Sequence, residues 1–154
     1  MNLNTLKPAV ENTNAQVARS GLRVLDMRRG YVKCLLPIDG NGGKDGTVPK
    51  EMLKVLMEAP GNAIFLGSFN TDRFETSIKD VDLRLLKPAD SDVTVELSLK
   101  EAVISRITAE VEIKGWSEFV LEGSLKDEDD NIIARYRGTY EMRPLLGVRA
   151  GVAA

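Results

Sequence analysis

The stretch Asp39-Gly40-Asn41-Gly42-Gly43-Lys44-Asp45-Gly46, followed by Thr47-Val48-Pro49-Lys50-Glu51-Met52-Leu53-Lys54-Val55-Leu56-Met57-Glu58-Ala59-Pro60-Gly61, decides how the chain is read. Its first eight residues hold four glycines, and such backbone freedom is incompatible with regular structure, so this is a loop. From Thr47 the pattern changes. Val48, Met52, Val55, Leu56 and Ala59 recur at helical spacing, with Thr47 placed to cap the helix and Pro49 accepted in a first turn. Pro60-Gly61 then predicts a kink or a stop before the helix continues from Ala63 to Leu66, because proline lacks a donor and its ring meets the carbonyl four residues back.

Upstream of the loop, residues 5 to 19 have helical character with Pro8 in a first turn and Val10 and Val17 as contacts. Leu22 to Arg28 and Tyr31 to Leu36 read as strands joined by the turn pair Arg29-Gly30. Downstream, Ser77 to Leu86 alternates, with Val81, Leu83 and Leu85 on one face and Asp80, Asp82 and Arg84 on the other. That register also puts Ser77 and Lys79 on the apolar row. Val93, Val95 and Leu97 give the next strand. Ser98 and Glu101 have capping-box spacing, and Leu99, Val103, Ile107 and Val111 recur every four residues. Ile107, Ala109, Val111 and Ile113 also alternate as a strand would, but the reading taken is a helix over about residues 99–112. Phe119, Leu121 and Leu125 begin a hairpin that turns at Asp127-Glu128-Asp129-Asp130-Asn131 and returns from Ile132 to Met142. Gly138 is expected where the last strand passes close to another backbone.

The bulk composition narrows the function. With 154 residues and 43% hydrophobic content the chain is expected to form one domain, 1–144, followed by a flexible tail over 145–154. Its 21 basic and 23 acidic residues give a net charge of −2 with no basic stripe, so nucleic acid is not an expected partner. No leader-like start and no bilayer-length apolar run are present, so a soluble cytoplasmic protein away from the membrane is expected. Cys34 is the single cysteine and lies in a strand, where an inert thiol is expected. The chain has no histidine, which removes Ser-His-Asp and Cys-His nucleophiles and the usual His-bearing zinc sites. No metal is expected. Catalysis must rest on carboxylates, hydroxyls, Lys and backbone dipoles.

A Gly-rich loop, a carboxylate-bearing helix and then mostly antiparallel strands resemble the hotdog-fold thioesterases over roughly residues 20–143. One branch of that family reads N-x-x-G-T with a Glu twelve residues after the Gly, and here Gly46-Thr47 stand twelve residues before Glu58. Leu85-Leu86-Lys87-Pro88-Ala89, Lys126-Asp127-Glu128-Asp129 and Gly138-Thr139-Tyr140 are similar to other family segments. The family's Asn falls on Gly43, whereas this chain offers Asn41, and the H-G-G of another branch falls on Pro49-Lys50-Glu51. The resemblance implies an α+β hotdog fold, an antiparallel sheet wrapped around a central helix, with the helix near 99–112 as an addition of the G-T branch. It also implies hydrolysis of acyl thioesters, with coenzyme A as the carrier and no cofactor, in a homodimer or homotetramer.

Within that frame Glu58 is the expected base or nucleophile, against the alternative of a surface carboxylate paired with Lys54 one turn earlier. Backbone donors at the helix start, from Gly46 and Thr47 to Lys50, are candidates for the oxyanion, against ordinary capping by Thr47; Pro49 has no N–H, which leaves Lys50 the best single donor. The resemblance implies that Ser77 or Thr76, from the partner protomer, orients the attacking water. Asn41, Asn62 and Lys79 are the expected ligand contacts, Lys79 for an anionic group. Hotdog dehydratases rely on a His that this chain lacks. The rival reading is a non-catalytic domain that binds or senses acyl-CoA.

Overall fold

A computed structural model describes residues 3–145. Helices come first, α1 (Lys7–Glu11) and α2 (Ala15–Ser20), then strands β1 (Arg23–Arg28) and β2 (Tyr31–Leu36). Next are α3 (Lys50–Leu56) and α4 (Glu58–Ser68), then β3 (Phe74–Leu85), β4 (Val93–Ser98), α5 (Glu101–Lys114), β5 (Ser117–Lys126) and β6 (Ile132–Pro144). The strands form one antiparallel sheet in the order β1-β2-β4-β5-β6-β3, an α+β arrangement with α4 against its inner face. Val32, Cys34, Val95, Leu97, Leu121, Leu125, Tyr136, Tyr140 and Met142 line that face and are buried. Ala59, Pro60, Gly61 and Ala63 keep the N-terminal half of α4 small, and at Gly61 the Tyr140 hydroxyl of β6 comes in where a side chain would stand.

The hairpins, β4 and the helix α5 stand where the sequence puts them. At the β1–β2 turn Gly30 has φ +75°, a conformation costly for any residue with a side chain, and an added Cβ would lie 2.5 Å from the Leu99 carbonyl. The Gly30 N–H donates to Ser68 Oγ at 2.9 Å and Arg29 Nη1 donates to the Ser68 carbonyl at 3.1 Å, which ties this turn to the end of α4.

Several local expectations are corrected. The N-terminal helix is split at Thr13-Asn14, because the Asn14 side chain accepts from the Val17 N–H and starts α2. Thr47 does not cap a helix: its N–H and hydroxyl both donate to Asp45 Oδ1, at 3.0 and 2.8 Å, and the helix begins only at Lys50. Met52, taken as core, is 37% exposed, and Leu53 beside it is 1% exposed, so Leu53 and Leu56 make the buried face of α3. The interruption expected at Pro60 falls at Met57. Proline is tolerated in the first turn of a helix, so the chain breaks there, and Pro60 sits in the first turn of α4. Ser98 ends β4 and caps nothing; Glu101 instead takes a bidentate pair of hydrogen bonds from Arg29 at 2.8 and 2.9 Å. Of the tail expected over 145–154, residues 146–154 lie outside the described residues; Leu145 donates its N–H to the Arg73 carbonyl at 2.8 Å.

The largest correction concerns β3. A bulge between Ile78 and Asp80 inserts Lys79 as an extra residue, since Ile78 faces Tyr140 and Asp80 faces Thr139. Directly paired residues share a sheet face, so the inward row runs Phe74, Thr76, Ile78, then Val81, Leu83 and Leu85. Ser77 and Lys79 belong to the outward row.

Cys34 is fully buried, and desolvation, with a smaller contribution from the Glu11 charge, pushes its thiol from 9.0 up to about 12. The native protein is expected to resist thiol reagents at pH 8 and to label stoichiometrically once unfolded in guanidinium. The unfolded chain loses this proton near pH 9 while the folded chain keeps it to about 12, so stability falls across that window as pH rises. An alkaline melting series checks the sign.

Candidate active site

Glu58 is the first residue of α4, placed there by the break that Pro60 imposes, and it is half-buried. It lies between two clefts. One, of about 420 Å³, is lined by Glu51, Lys54, Val55, Glu58, Ile78, Val81 and Tyr136. The other, of about 230 Å³, is lined by Thr13, Glu58, Gly61, Asn62, Thr76, Ser77, Ile78 and Tyr140. Four residues singled out from sequence thus meet: Glu58, Asn62, Thr76 and Ser77. Asn62 Nδ2 donates to Thr13 Oγ1 at 3.2 Å, and Thr76 Oγ1 donates to the Glu141 carbonyl at 3.0 Å, leaving the Thr76 oxygen with lone pairs to accept. Ser77 borders the cleft from the outward row, its strand partner being Glu141.

Lys54 does not neutralise Glu58. Its ammonium lies 3.8 Å from Glu51, one turn back, in a pair too exposed to matter much for stability.

The other expected residues are elsewhere. Lys79 points to the outer face, where Glu118 at 2.9 Å and Glu141 at 3.7 Å surround its ammonium; the bulge, invisible in the alternation, put it there. Asn41 spends its amide on the carbonyls of Ser20, at 2.7 Å, and Pro37, at 2.6 Å, so it anchors the Gly-rich loop to the body of the protein. Gly46 has φ +80° in a turn whose ends are tied by Gly43 N–H to the Thr47 carbonyl at 2.8 Å. The Thr47 and Val48 N–H groups are taken by Asp45 and by the Ala89 carbonyl. Lys50 opens α3, eight residues before Glu58, which at the helical rise is roughly 12 Å. None of Gly46, Thr47 and Lys50 lines either cleft around Glu58.

Two functional candidates escaped the sequence reading. Tyr136 and Tyr140 are buried side by side on the inward face of β6, with hydroxyl oxygens 2.5 Å apart. Each borders one of the Glu58 clefts. Burial chiefly, offset in part by the hydrogen bond shared with Tyr140 and assisted by the Glu58 charge, raises the Tyr136 hydroxyl above its usual 10.0. Burial, then the Tyr136 hydroxyl, then Glu58 raise Tyr140 further. Both are neutral donors over the physiological range. The signal was present as Tyr136-x-Gly138-x-Tyr140, two aromatic hydroxyls on one strand face around a residue without a side chain. Among the described residues no group of three or more His, Cys, Asp and Glu side chains is arranged to hold a metal ion.

An antiparallel sheet packed on a helix, with an accessible carboxylate at the helix break, defines a small α+β protein with a candidate ligand site. Solved structures narrow this. A Pseudomonas aeruginosa protein of unknown function, described as a probable thioesterase, is 33% identical, with 94% of this chain and 97% of that one covered and a TM-score of 0.88. The chain belongs to that family, the hotdog-type thioesterases. A mutant thioesterase from the same organism (18% identity, 94% and 96% covered, TM-score 0.72) and a Haemophilus influenzae thioesterase (16%, 95% and 93%, 0.72) share the fold. No family model and no curated protein matches the sequence.

Proposed function

We propose that the protein hydrolyses acyl thioesters, with coenzyme A as the thiol carrier, no cofactor, and Glu58 as general base. The observation that carries this reading is the position of Glu58: half-buried, without a neutralising lysine, and shared by two clefts with Thr76 and Asn62, in a member of a thioesterase family. Water attacks the thioester carbonyl carbon while Glu58 takes its proton. The tetrahedral intermediate then expels the thiolate, which recovers that proton, giving a carboxylic acid and a thiol. A carboxylate in this role contributes about 10²–10⁴-fold. Thr76, with Ser77 at the rim, offers hydroxyl oxygens to orient the water from the same protomer as Glu58, rather than from the partner as the resemblance implied.

The proposed assembly is a homodimer, or a tetramer built from it, joined along β3. Among the described residues this 12-residue strand pairs only with β6, leaving one edge open beside exposed Ile78, Leu85 and Leu86. An uncovered edge of that length invites pairing with a second copy. The site of action proposed is the cytoplasm; among the described residues no helix is long and apolar enough to cross a membrane.

The test is thiol release from coenzyme A thioesters of increasing acyl length. Turnover of at least one is expected, and binding without turnover of any would favour a sensor. Light scattering should return twice the 16.9 kDa chain mass or a multiple of it.

A further inference from the structure

The Tyr136–Tyr140 pair is held by two absences. A Cβ on Gly61 of α4 would lie 2.5 Å from the Tyr140 hydroxyl, and a Cβ on Gly138 of β6 would collide with the Tyr136 hydroxyl and lie 2.8 Å from the Tyr140 ring. Two elements therefore give up a side chain where these hydroxyls meet. A core that needed only filling would take phenylalanine at both positions. Phe119 already stacks on the Tyr140 ring at 5.4 Å between centroids, so the aromatic contact does not require an oxygen.

The proton count is informative. Each hydroxyl has one proton to donate, and among the described residues its hydrogen-bond partner is the other tyrosine. One shared bond consumes one of two protons, whichever oxygen donates. One O–H remains uncommitted. Both tyrosines border a Glu58 cleft, and the Tyr140 oxygen in addition rests on Gly61, three residues after Glu58 and on the same side of α4, in the cleft that Glu58 shares with Asn62 and Thr76. When Tyr136 donates the shared bond, the Tyr140 proton is free for the cleft, and that bond polarises Tyr140 into a stronger donor.

We propose that Tyr140, backed by Tyr136, donates the hydrogen bond that stabilises the thioester carbonyl oxygen as water attacks beside Glu58. This inference rests on the hydrolytic reading above and adds a side-chain donor beside the backbone donors expected at the start of α3. The tyrosine keeps its proton throughout: negative charge builds on the carbonyl oxygen, the O–H bond points at it, and the charge returns to the carbon–oxygen bond as the thiolate leaves. Burial keeps both hydroxyls protonated, so the donor persists at alkaline pH.

The test compares Tyr140→Phe, Tyr136→Phe and Glu58→Gln in turnover of a coenzyme A thioester. It also measures affinity for two inert analogues, a ketone with methylene in place of sulfur and a thioether without the carbonyl. Tyr140→Phe should lower kcat about 10²-fold with KM nearly unchanged, the usual loss for one oxyanion donor. Tyr136→Phe should lose several-fold. The ketone should bind Tyr140→Phe about tenfold more weakly than the parent, and the thioether equally to both. If Tyr140→Phe keeps parental kcat and ketone affinity while Glu58→Gln is inactive, the pair is structural and only this inference falls. If Glu58→Gln is as active as the parent, the hydrolytic mechanism falls instead. Should Tyr140→Phe fail to fold, Gly61→Ala, whose methyl would displace the Tyr140 oxygen, must show the same selective loss of ketone binding.

Discussion

Glu58→Gln is expected to lower thioester turnover by about 10²–10⁴-fold with little change in melting temperature. The amide keeps the size and reach of the carboxylate but cannot accept a proton from water. The folded state loses almost nothing, because among the described residues no ion pair or side-chain hydrogen bond engages the Glu58 carboxylate. Loss of activity without loss of stability separates a working carboxylate from one that merely decorates the first turn of α4. Parental thiol release from the Gln variant would end the assignment.

Gly138→Val is expected to destabilise the protein by about 3 kcal/mol, the upper part of the range for overpacking a core, and to lower its melting temperature by roughly 10 °C. Gly138 lies in an inner strand position between Val81 on β3 and Leu121 on β5. Any side chain there enters the space held by the Tyr136 and Tyr140 rings. Phe119 stacks on the Tyr140 ring and limits its retreat. A thermal melt followed in the near-ultraviolet tyrosine band reads both effects, and an unchanged midpoint would show that the pocket has slack.

The elements were legible where one period dominates. β2, β4 and the β5–β6 hairpin alternate cleanly because one face packs on helices and the other meets solvent. α5 was legible because Ile104, Ile107 and Val111 are buried on one side, though its start was misassigned: Glu101 answers to Arg29 across the β1–β2 turn, a partner 72 residues away in sequence. Distance in the chain is also why Asn41 was misread. An asparagine in a Gly-rich loop looks available until its amide is found on the carbonyls of Ser20 and Pro37. Thr47 was claimed by Asp45, only two residues back, a side-chain turn that competes with helix capping. Gly138 was read as room for another backbone, and the close neighbours are instead tyrosine side chains. Within the site, Glu58 was found through spacing and Asn62 and Thr76 through neighbourhood. The tyrosines were passed over because an aromatic residue on a strand ordinarily signals packing.

The extra residue at Lys79 gives β3 a wide tolerance to genetic change. Replacing Lys79 with another polar residue would cost only exposed ion pairs to Glu118 and Glu141, so most missense changes there should pass unnoticed. Deleting it would bring Ile78 and Asp80 together opposite Tyr140 and Thr139, a regular register in which Thr76, Ile78 and Val81 all keep their inward face. Length variation among relatives in β3 should therefore collect at Lys79, where a codon can be lost in frame without turning either half of the strand over.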